Sequence, residues 1–541
     1  MSKQSWSGEK DKSPGLTAKG SSEPAFGRVR SCLWPIYSYE VKKLLPMMLM
    51  IFLICFNSSV LRNMKDTVVV TASGAEVIPF IKVWVLLPMA VLLTLLFTQL
   101  SNRYSQERVF YIMTSGFLIC FTAFAFIFYP FRDYFHPHAL ADKLEVLLPL
   151  GFRGLISMFR NWTFTGFYVM SELWISIVLN VLFWGFANEV TRIAEARRFY
   201  SVFSIASCLA AVLAGQASNF LSKGYFVNMR ILAGRESWEQ VQIVLVSVVV
   251  LSGLVTMGLF RWINRNVLTD PSFDEFHHNK REIKKMGKKL SMRESFSYLS
   301  NSKYLIGIAI IVVAYNLVIN LVEVIWKDQL RQLYPNKSDF NNYMNNLTSM
   351  IGIVSTATSI FMAKILSRYG WTKTALITPV IVLLTSIGFF AFLFFRETAF
   401  AATIVAMTGM TPLAIAVFFG SAQNCLSKAA KYSVFDATKE MAYIPLSHEC
   451  KLKGKAAIDG VGSRFGKSGG SFIHQGLLII FSTLQASSPY IAAILGCVIA
   501  FWIGAARSLG RQFRDLVASQ TASPPEELRI KEEKPLVQQA S

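Results

Sequence analysis

Apolar runs of about twenty residues alternate with short polar stretches along nearly the whole chain, and that length is what a helix needs to cross a bilayer. Taken in order, they predict spans near 44–62, 77–100, 109–131, 159–188, 199–221 and 240–262. A second set falls near 304–326, 345–367, 373–395, 399–424, 468–486 and 489–507. The expected fold is an all-α polytopic membrane protein of about twelve transmembrane helices. One long break, 264–303, is polar and basic and divides the spans into two sets of six. The domain reading is therefore a tail over 1–43, a six-helix half over 44–263, a linker over 264–303, a second six-helix half over 304–508 and a disordered tail over 509–541.

A weak internal repeat follows the same division. Leu100-Ser101-Asn102-Arg103-Tyr104 enters the third span, and Leu366-Ser367-Arg368-Tyr369-Gly370 enters the ninth. Arg132 and Arg396 close those spans, and Lys65-Asp66 is matched by Lys327-Asp328, all in nearly one register. Duplicated six-span halves around a midplane site make the expected architecture major-facilitator-like.

Composition agrees. The 541 residues are 53% hydrophobic and only 16% charged, against about a quarter charged in a soluble protein, which excludes a soluble enzyme. The net charge of +21 does not point to nucleic acid, because the basic residues sit in the loops between spans. Lys3, Lys10, Lys12 and Lys19 in the first tail, Lys280 to Lys289 in the linker, and the Lys-rich stretch 428–467 all fall on one side of a twelve-span bundle. The positive-inside rule makes that side, with both termini, cytoplasmic. Seven cysteines are scattered without disulfide or metal spacing, so no metal or other cofactor is expected.

Charge at the bilayer centre costs about 2.5–3.5 kcal/mol per residue, so ionisable residues there mark cavities or partners. The first span runs from Leu44 to Phe56 straight into Asn57-Ser58-Ser59-Val60-Leu61-Arg62-Asn63-Met64-Lys65-Asp66. In this knot Lys65 is the candidate ligand, while Arg62 and Asp66, four apart, read as a structural pair. The fourth span opens at Arg160 and carries Glu172, Ser176 and Asn180 near one face. Trp162, Tyr168 and Trp174 add aromatic surface, for stacking a base or for anchoring at the interface. The seventh span carries Asn316, Asn320, Glu323 and Lys327 at steps that put all four on one face. Glu323 with Lys327 alternatively reads as a structural pair, and Lys82 as a side chain that snorkels to the surface. Lys65, Arg160 and Lys327 suit a phosphate-bearing substrate. Glu172 and Glu323 would balance them in the empty site, or carry protons. Tyr168, Trp174, Asn316 and Asn320 are the candidate base contacts.

Moving a tetra-anion inward against about 100 mV costs about 2.3 kcal/mol per charge, roughly 9 kcal/mol in all. Concentrative uptake must therefore be coupled, either to proton entry or to exit of a similarly charged nucleotide. Gly466-Lys467-Ser468-Gly469-Gly470 looks like a phosphate loop, but a Walker A motif requires glycine where Val461 stands and a buried strand before it. ATP hydrolysis is not expected. The glycines remain candidates for exposing backbone N–H groups to an anion at a helix start.

Several longer motifs carry a resemblance. They are Glu172-Leu173-Trp174, Phe183-Trp184-Gly185-Phe186-Ala187-Asn188-Glu189, Glu195-Ala196-Arg197-Arg198-Phe199-Tyr200, Lys431-Tyr432 with Phe435-Asp436 and Thr438 to Leu446, and Gly454-Lys455-Ala456-Ala457-Ile458-Asp459. On these the chain resembles the nucleotide transporter (ATP/ADP translocase) family of obligate intracellular bacteria and plastids, over roughly residues 27–510, and looks most like the chlamydial members. The resemblance implies a twelve-span nucleotide transporter of the inner membrane. It also implies roles for Lys65, Glu172 and Glu323, and for a late lysine, Lys455 or Lys467.

Two departures from that pattern stand out. The exchangers of the family typically read Leu-Arg-Asp-Thr-Lys-Asp where this chain has Leu61-Arg62-Asn63-Met64-Lys65-Asp66, and tend to have Asn where it has Cys208. Both remove polar groups near the expected phosphate site. The reading adopted from sequence is a monomeric secondary transporter that imports ATP, GTP, UTP and CTP from a host cell with protons. Obligate ATP/ADP exchange is the alternative, and a membrane-anchored ATPase or interaction protein the remote third.

Overall fold

The computed structural model describes residues 36–37, 40–191, 193–223, 234–267, 302–395, 398–446, 454, 458 and 462–522. The first apolar run becomes α1 (Val41–Ser73), followed by α2 (Val77–Arg103), α3 (Gln106–Phe128) and α4 (Trp162–Val190). Two further helices, α5 (Ile193–Leu221) and α6 (Ser237–Asn266), complete the first set. The second set begins with α7 (Lys303–Leu333), α8 (337–369) and α9 (371–394). It ends with α10 (Ala399–Thr408 continued by Pro412–Ala442), α11 (Ser463–Phe481) and α12 (Leu484–Ala522). Among the described residues nine helices are long and apolar enough to cross a membrane, or ten if the bent pair in α10 is one span. With the more polar α8 and α11 they form the expected all-α, two-half bundle.

The helices depart from the hydropathy pattern where polar groups find partners inside the bundle. The first span does not stop at the charged knot but continues through it to Ser73, because those side chains are satisfied by neighbouring helices. Gly370, at φ +72°, separates α8 from α9, and Gly409, at φ +69°, sits at the 79° bend in α10. Beyond that bend α10 runs on through a wide turn at Lys431–Phe435 to Ala442, well into the stretch expected as loop. The last helix reaches Ala522, so 509–522 is helix rather than tail. Between α3 and α4 the chain folds into a hairpin of short helices, Arg132–Phe135, His138–Leu147 and Arg153–Arg160. Its buried His136 shares a 2.7 Å hydrogen bond with Thr163 Oγ1, and burial, with His138 nearby, pushes the imidazole down to about 4.

The start of α1 and the end of α12 lie at one end of the bundle, called terminal here; the opposite end, with the hairpin, is distal. Within the halves, α1 packs on α4, α5 and α6, and α7 on α10, α11 and α12. Between them α5 crosses α8, α2 meets α11, and α1 touches α7 and α8. The α5–α8 crossing is close because Gly352 lies against Val212 and the Cys208 carbonyl; an added Cβ would stand 2.6 Å from Val212 Cγ2. Small residues at a crossing let helices approach where lipid offers no hydrophobic drive. Polar pairs complete the seam. Asn63 Nδ2 donates to Asn345 Oδ1 at 2.8 Å, Thr348 donates to Asn63 Oδ1 at 3.1 Å, and Gln475 Nε2 donates to the Pro79 carbonyl at 2.8 Å. Lys337 pairs with Glu236 at 3.3 Å. These cross-half bonds and pairs lie toward the distal end of the bundle. The outward face of α2, with Leu87, Val91, Leu92 and Leu95 exposed, is the kind of surface lipid covers.

Gly352→Val should drive a side chain into this seam and cost about 1–3 kcal/mol as overpacking does. A clearly lower Tm of the detergent-purified protein is expected. Gly116→Val, where nothing lies within 4 Å of the added carbon, should leave the Tm close to wild type. Equal melting of the two variants would contradict the seam.

Candidate functional site

Where α1, α4, α7 and α10 face one another, charged side chains form a ladder of alternating sign. Lys65 Nζ lies 3.3 Å from Glu172 Oε2 on α4 and donates to Asp66 Oδ1 at 2.9 Å. The other oxygen of Asp66 pairs with Lys327 Nζ of α7, also at 2.9 Å. Lys327 in turn lies 3.2 Å from Glu323 Oε1, which is 3.8 Å from Lys428 Nζ of α10. The order is Glu172–Lys65–Asp66–Lys327–Glu323–Lys428. Its middle is sealed and its ends are open: Asp66 is 1% exposed, while the side chains of Glu323 and Glu172 are 19% and 35% exposed. The Lys65 ammonium also stands 3.8 Å above the Tyr168 ring, a cation–π contact of the kind that strengthens away from water.

Helix geometry explains why these groups meet. Glu323 and Lys327 are one turn apart on α7, and Tyr168 and Glu172 one turn apart on α4, so each pair shares a face. Lys82 approaches along α2, in a wide π turn at Ile81–Leu86, a local irregularity common at functional sites. It donates to Asn320 Oδ1 at 2.6 Å. Arg62, on α1, lies close enough for Asp66, Glu172 and Glu323 to act on its charge. Counting Arg62 and Lys82, five cations face three carboxylates. Such a site has spare positive charge for a polyanion and enough negative charge to remain buried without one.

Of the residues expected from sequence, the structure brings Lys65, Glu172, Glu323 and Lys327 together, with Tyr168 beneath Lys65. Arg160 is elsewhere. It ends the hairpin helix at the distal mouth and pairs with Asp142 at 2.7 Å and Glu145 at 3.2 Å. Trp174 is fully buried among Phe117, Phe121 and α1, with Nε1 donating to the Ile54 carbonyl, so it presents no face to a ligand. Asn316 donates to the Val312 carbonyl, and Asn320 to the Lys467 carbonyl at 2.5 Å and Ser471 Oγ at 3.0 Å. Both belong to the α7–α11 contact. Lys467 is exposed, and its charge acts on Glu172; Lys455 lies outside the described residues.

Four expectations are corrected. Among the described residues no ion pair within 4 Å joins Arg62 to Asp66, because Asp66 is held by the two lysines instead. Lys82 turns inward to Asn320 rather than snorkelling to the surface. Asp328 does not mirror Asp66; it accepts from Gln329 and Gln332 on its own helix. Gly466 and Gly470 lie inside α11, where added carbons would press on Val313 and Asn320. Close packing against α7, not anion binding at a helix start, accounts for them. Reading the chain by spans missed Lys428, because α10 continues past its apolar segment, and Lys82, because its partner sits on another helix. Among the described residues, no three His, Cys, Asp or Glu side chains gather in a metal-binding arrangement.

Comparison with known proteins places this geometry in context. The family model described as TLC ATP/ADP transporter matches residues 19–513. The ADP,ATP carrier protein 1 of Chlamydia pneumoniae is 47% identical over 498 residues, covering 91% of this chain and 95% of that protein. The chloroplastic ADP,ATP carrier protein 1 of Arabidopsis thaliana is 43% identical, covering 89% of this chain and 76% of that protein. Among solved structures, a D-xylose-proton symporter superposes with a TM-score of 0.51 at 13% identity, over 86% of this chain and 97% of that one. The inward-open xylose transporter XylE from E. coli gives the same TM-score at 12% identity, over 86% and 96%. These structural likenesses establish the major-facilitator-type fold.

The ladder predicts a non-additive pair. Asp66→Asn alone leaves two buried lysines short of a counter-charge and should destabilise by about 3–5 kcal/mol, whereas Asp66→Asn with Lys327→Met should restore part of that loss. Thermal melts of the single and double variants in detergent test this. Additive losses would show that the two groups are not coupled.

Proposed function

The chain belongs to the TLC ATP/ADP transporter family, a family of nucleotide transporters, and from that premise we propose that it exchanges ATP and ADP across the inner membrane of its cell. The terminal end, where α1 begins and where α6 ends and α7 begins on either side of the Lys-rich 268–301 sequence, is taken as cytoplasmic. One observation carries the reading: Asp66 holds a lysine from each half at once, at the boundary of the joined distal seam.

The mechanism follows from that arrangement. In the empty protein Asp66 binds Lys65 and Lys327 and ties α1 to α7. Opening the distal side would strand a buried charge, at a cost of about 3–5 kcal/mol, which slows the step roughly a hundred- to several-thousand-fold. A polyphosphate entering past the exposed ends of the ladder offers several anionic oxygens. It takes the lysines from Glu172, Glu323 and Asp66, and the halves can then part without leaving a cation bare. Because the substrate itself releases the latch, the empty carrier returns slowly and each inward passage requires an outward one. Trading ATP for ADP moves about one net charge, near 2.3 kcal/mol at 100 mV, instead of the roughly 9 kcal/mol of uncompensated ATP.

The two departures from the exchanger pattern bear on a different part of the molecule. Asn63 bonds to Asn345 and Thr348 across the α1–α8 seam, Met64 is fully buried, and Cys208 lies against Thr356 and Gly352 in the α5–α8 seam. They alter the surfaces on which the halves move, not the lysines. The second reading, proton-driven import of ATP, GTP, UTP and CTP, is supported by Glu172, whose side chain is 35% exposed and so within reach of water and protons.

Uptake of labelled ATP into proteoliposomes separates the two. Exchange predicts uptake that requires internal ADP, ignores a protonophore, and falls by two orders of magnitude or more in Lys65→Gln or Lys327→Gln. Uptake into empty vesicles that a protonophore abolishes would replace exchange with proton coupling. Failure to take up any nucleotide would overturn both.

A further inference from the structure

Three of the four helices that carry the ladder, α1, α4 and α7, also border a second polar site nearer the distal mouth. A cavity of about 350 Å³ lies there, lined by Arg153, Arg160 and Arg331 together with Glu76 and Glu145. Arg331 follows Lys327 by one turn on α7, so Glu323, Lys327 and Arg331 climb one helix face at about 6 Å per step. Ser73 follows Asp66 by two turns on α1, and Asn161 precedes Tyr168 by two turns. Asn161 donates to Ser73 Oγ at 2.7 Å and closes the cavity wall between those helices. Cavity and ladder thus follow one another along the same helices, the cavity on the distal side of the Lys65–Asp66–Lys327 bridge.

The guanidiniums are poised differently. Arg331 is half-buried and Arg153 exposed, and among the described residues neither has a carboxylate within ion-pair distance. Arg160 is held by Asp142 and Glu145, which are 64% and 38% exposed; ion pairs this wet are weak and readily exchanged. Its Nε is buried and has no hydrogen-bond partner among the described residues. The base of the hairpin is fixed, since a Cβ on Gly151 would stand 2.6 Å from the Ile479 backbone of α11. The acidic helix His138–Leu147 can therefore be displaced from Arg160 while the arginines stay in place.

We propose that this cavity is a capture site for the polyphosphate chain of a nucleotide, which replaces Asp142 and Glu145 on Arg160 and bridges to Arg153 and Arg331 before passing to the lysine ladder. Bidentate guanidinium contacts suit phosphate oxygens. The site rests on the nucleotide-transport reading for its role but not for its binding chemistry.

Two measurements test it. In proteoliposomes, Arg153→Gln with Arg331→Gln should raise the KM for ATP presented at the distal face by roughly tenfold, the equivalent of one lost charge-assisted contact. The KM for substrate presented at the terminal face should move by less than about twofold. A general folding defect would affect both faces alike, and an unchanged distal KM overturns the proposal. Should that variant fail to fold, Asp142→Asn with Glu145→Gln frees Arg160 and should lower the distal KM about threefold; no decrease overturns it. The second measurement needs no transport. Protein carrying Lys65→Gln, Asp66→Asn and Lys327→Gln, which removes the bridge without leaving a bare buried charge, should in neutral-lipid nanodiscs still bind inorganic triphosphate, lose it to competing ATP but not adenosine, and fail to bind it when the two arginines are also replaced. Loss of binding in that triple variant with the arginines intact, or competition by phosphatidylglycerol and not by ATP, contradicts a nucleotide capture site. A wild-type protein that binds triphosphate in this way but moves no nucleotide would sink the transport reading and leave the site standing.

Discussion

Asp66 is the counter-ion for two lysines that belong to different halves of the molecule. In a low-dielectric bundle none of the three charges is tolerable alone, and removing any one costs more than the intact set contributes. That constraint reaches outward through the structure. It lets α1 carry Arg62, Asn63, Lys65 and Asp66 within little more than one turn without leaving the membrane. It fixes the rotation of α7 so that Glu323 and Lys327 face inward, and it calls for Tyr168 and Glu172 on α4 to cover the remaining side of Lys65. It also puts the only sealed part of the ladder where α1 meets α7.

The seams around the ladder are built to hold this arrangement and to let it go. Glycines and small polar residues line the α5–α8 crossing, and a few side-chain hydrogen bonds join α1 to α8 and α2 to α11. Such contacts are weaker than the apolar packing within each half, where large aromatic side chains such as Trp174, Trp326 and Trp502 are fully buried. Two firm bodies meeting on a polar, closely approached surface favour rigid-body rocking over internal rearrangement.

Much of this was legible in the chain. The twelve-helix, two-half fold follows from span length and spacing, and Lys65, Glu172, Glu323 and Lys327 stand out because charge is costly inside an apolar run. What sequence could not show is which neighbour each charge meets. Arg62 and Asp66 have helix spacing for a pair, yet Asp66 takes partners whose position depends on how α7 packs against α1. Lys82 and Lys428 join the site through a π turn and a helix that outlasts its apolar segment, and hydropathy is blind to both. Tyr168 and Trp174 look alike as aromatic residues of one span, but the helix turns one toward the cations and the other into the core. The glycines around Lys467 carry a phosphate-loop appearance that close packing against α7 explains.

The central claim is that substrate phosphates replace Asp66 as the partner of Lys65 and Lys327. A cryo-EM structure of the protein with a non-hydrolysable ATP analogue tests it most directly. Phosphate oxygens within about 3 Å of both lysine Nζ atoms, with Asp66 no longer bridging them, is the predicted result. A bound nucleotide whose phosphates lie elsewhere, with the Lys65–Asp66–Lys327 bridge intact, would contradict it.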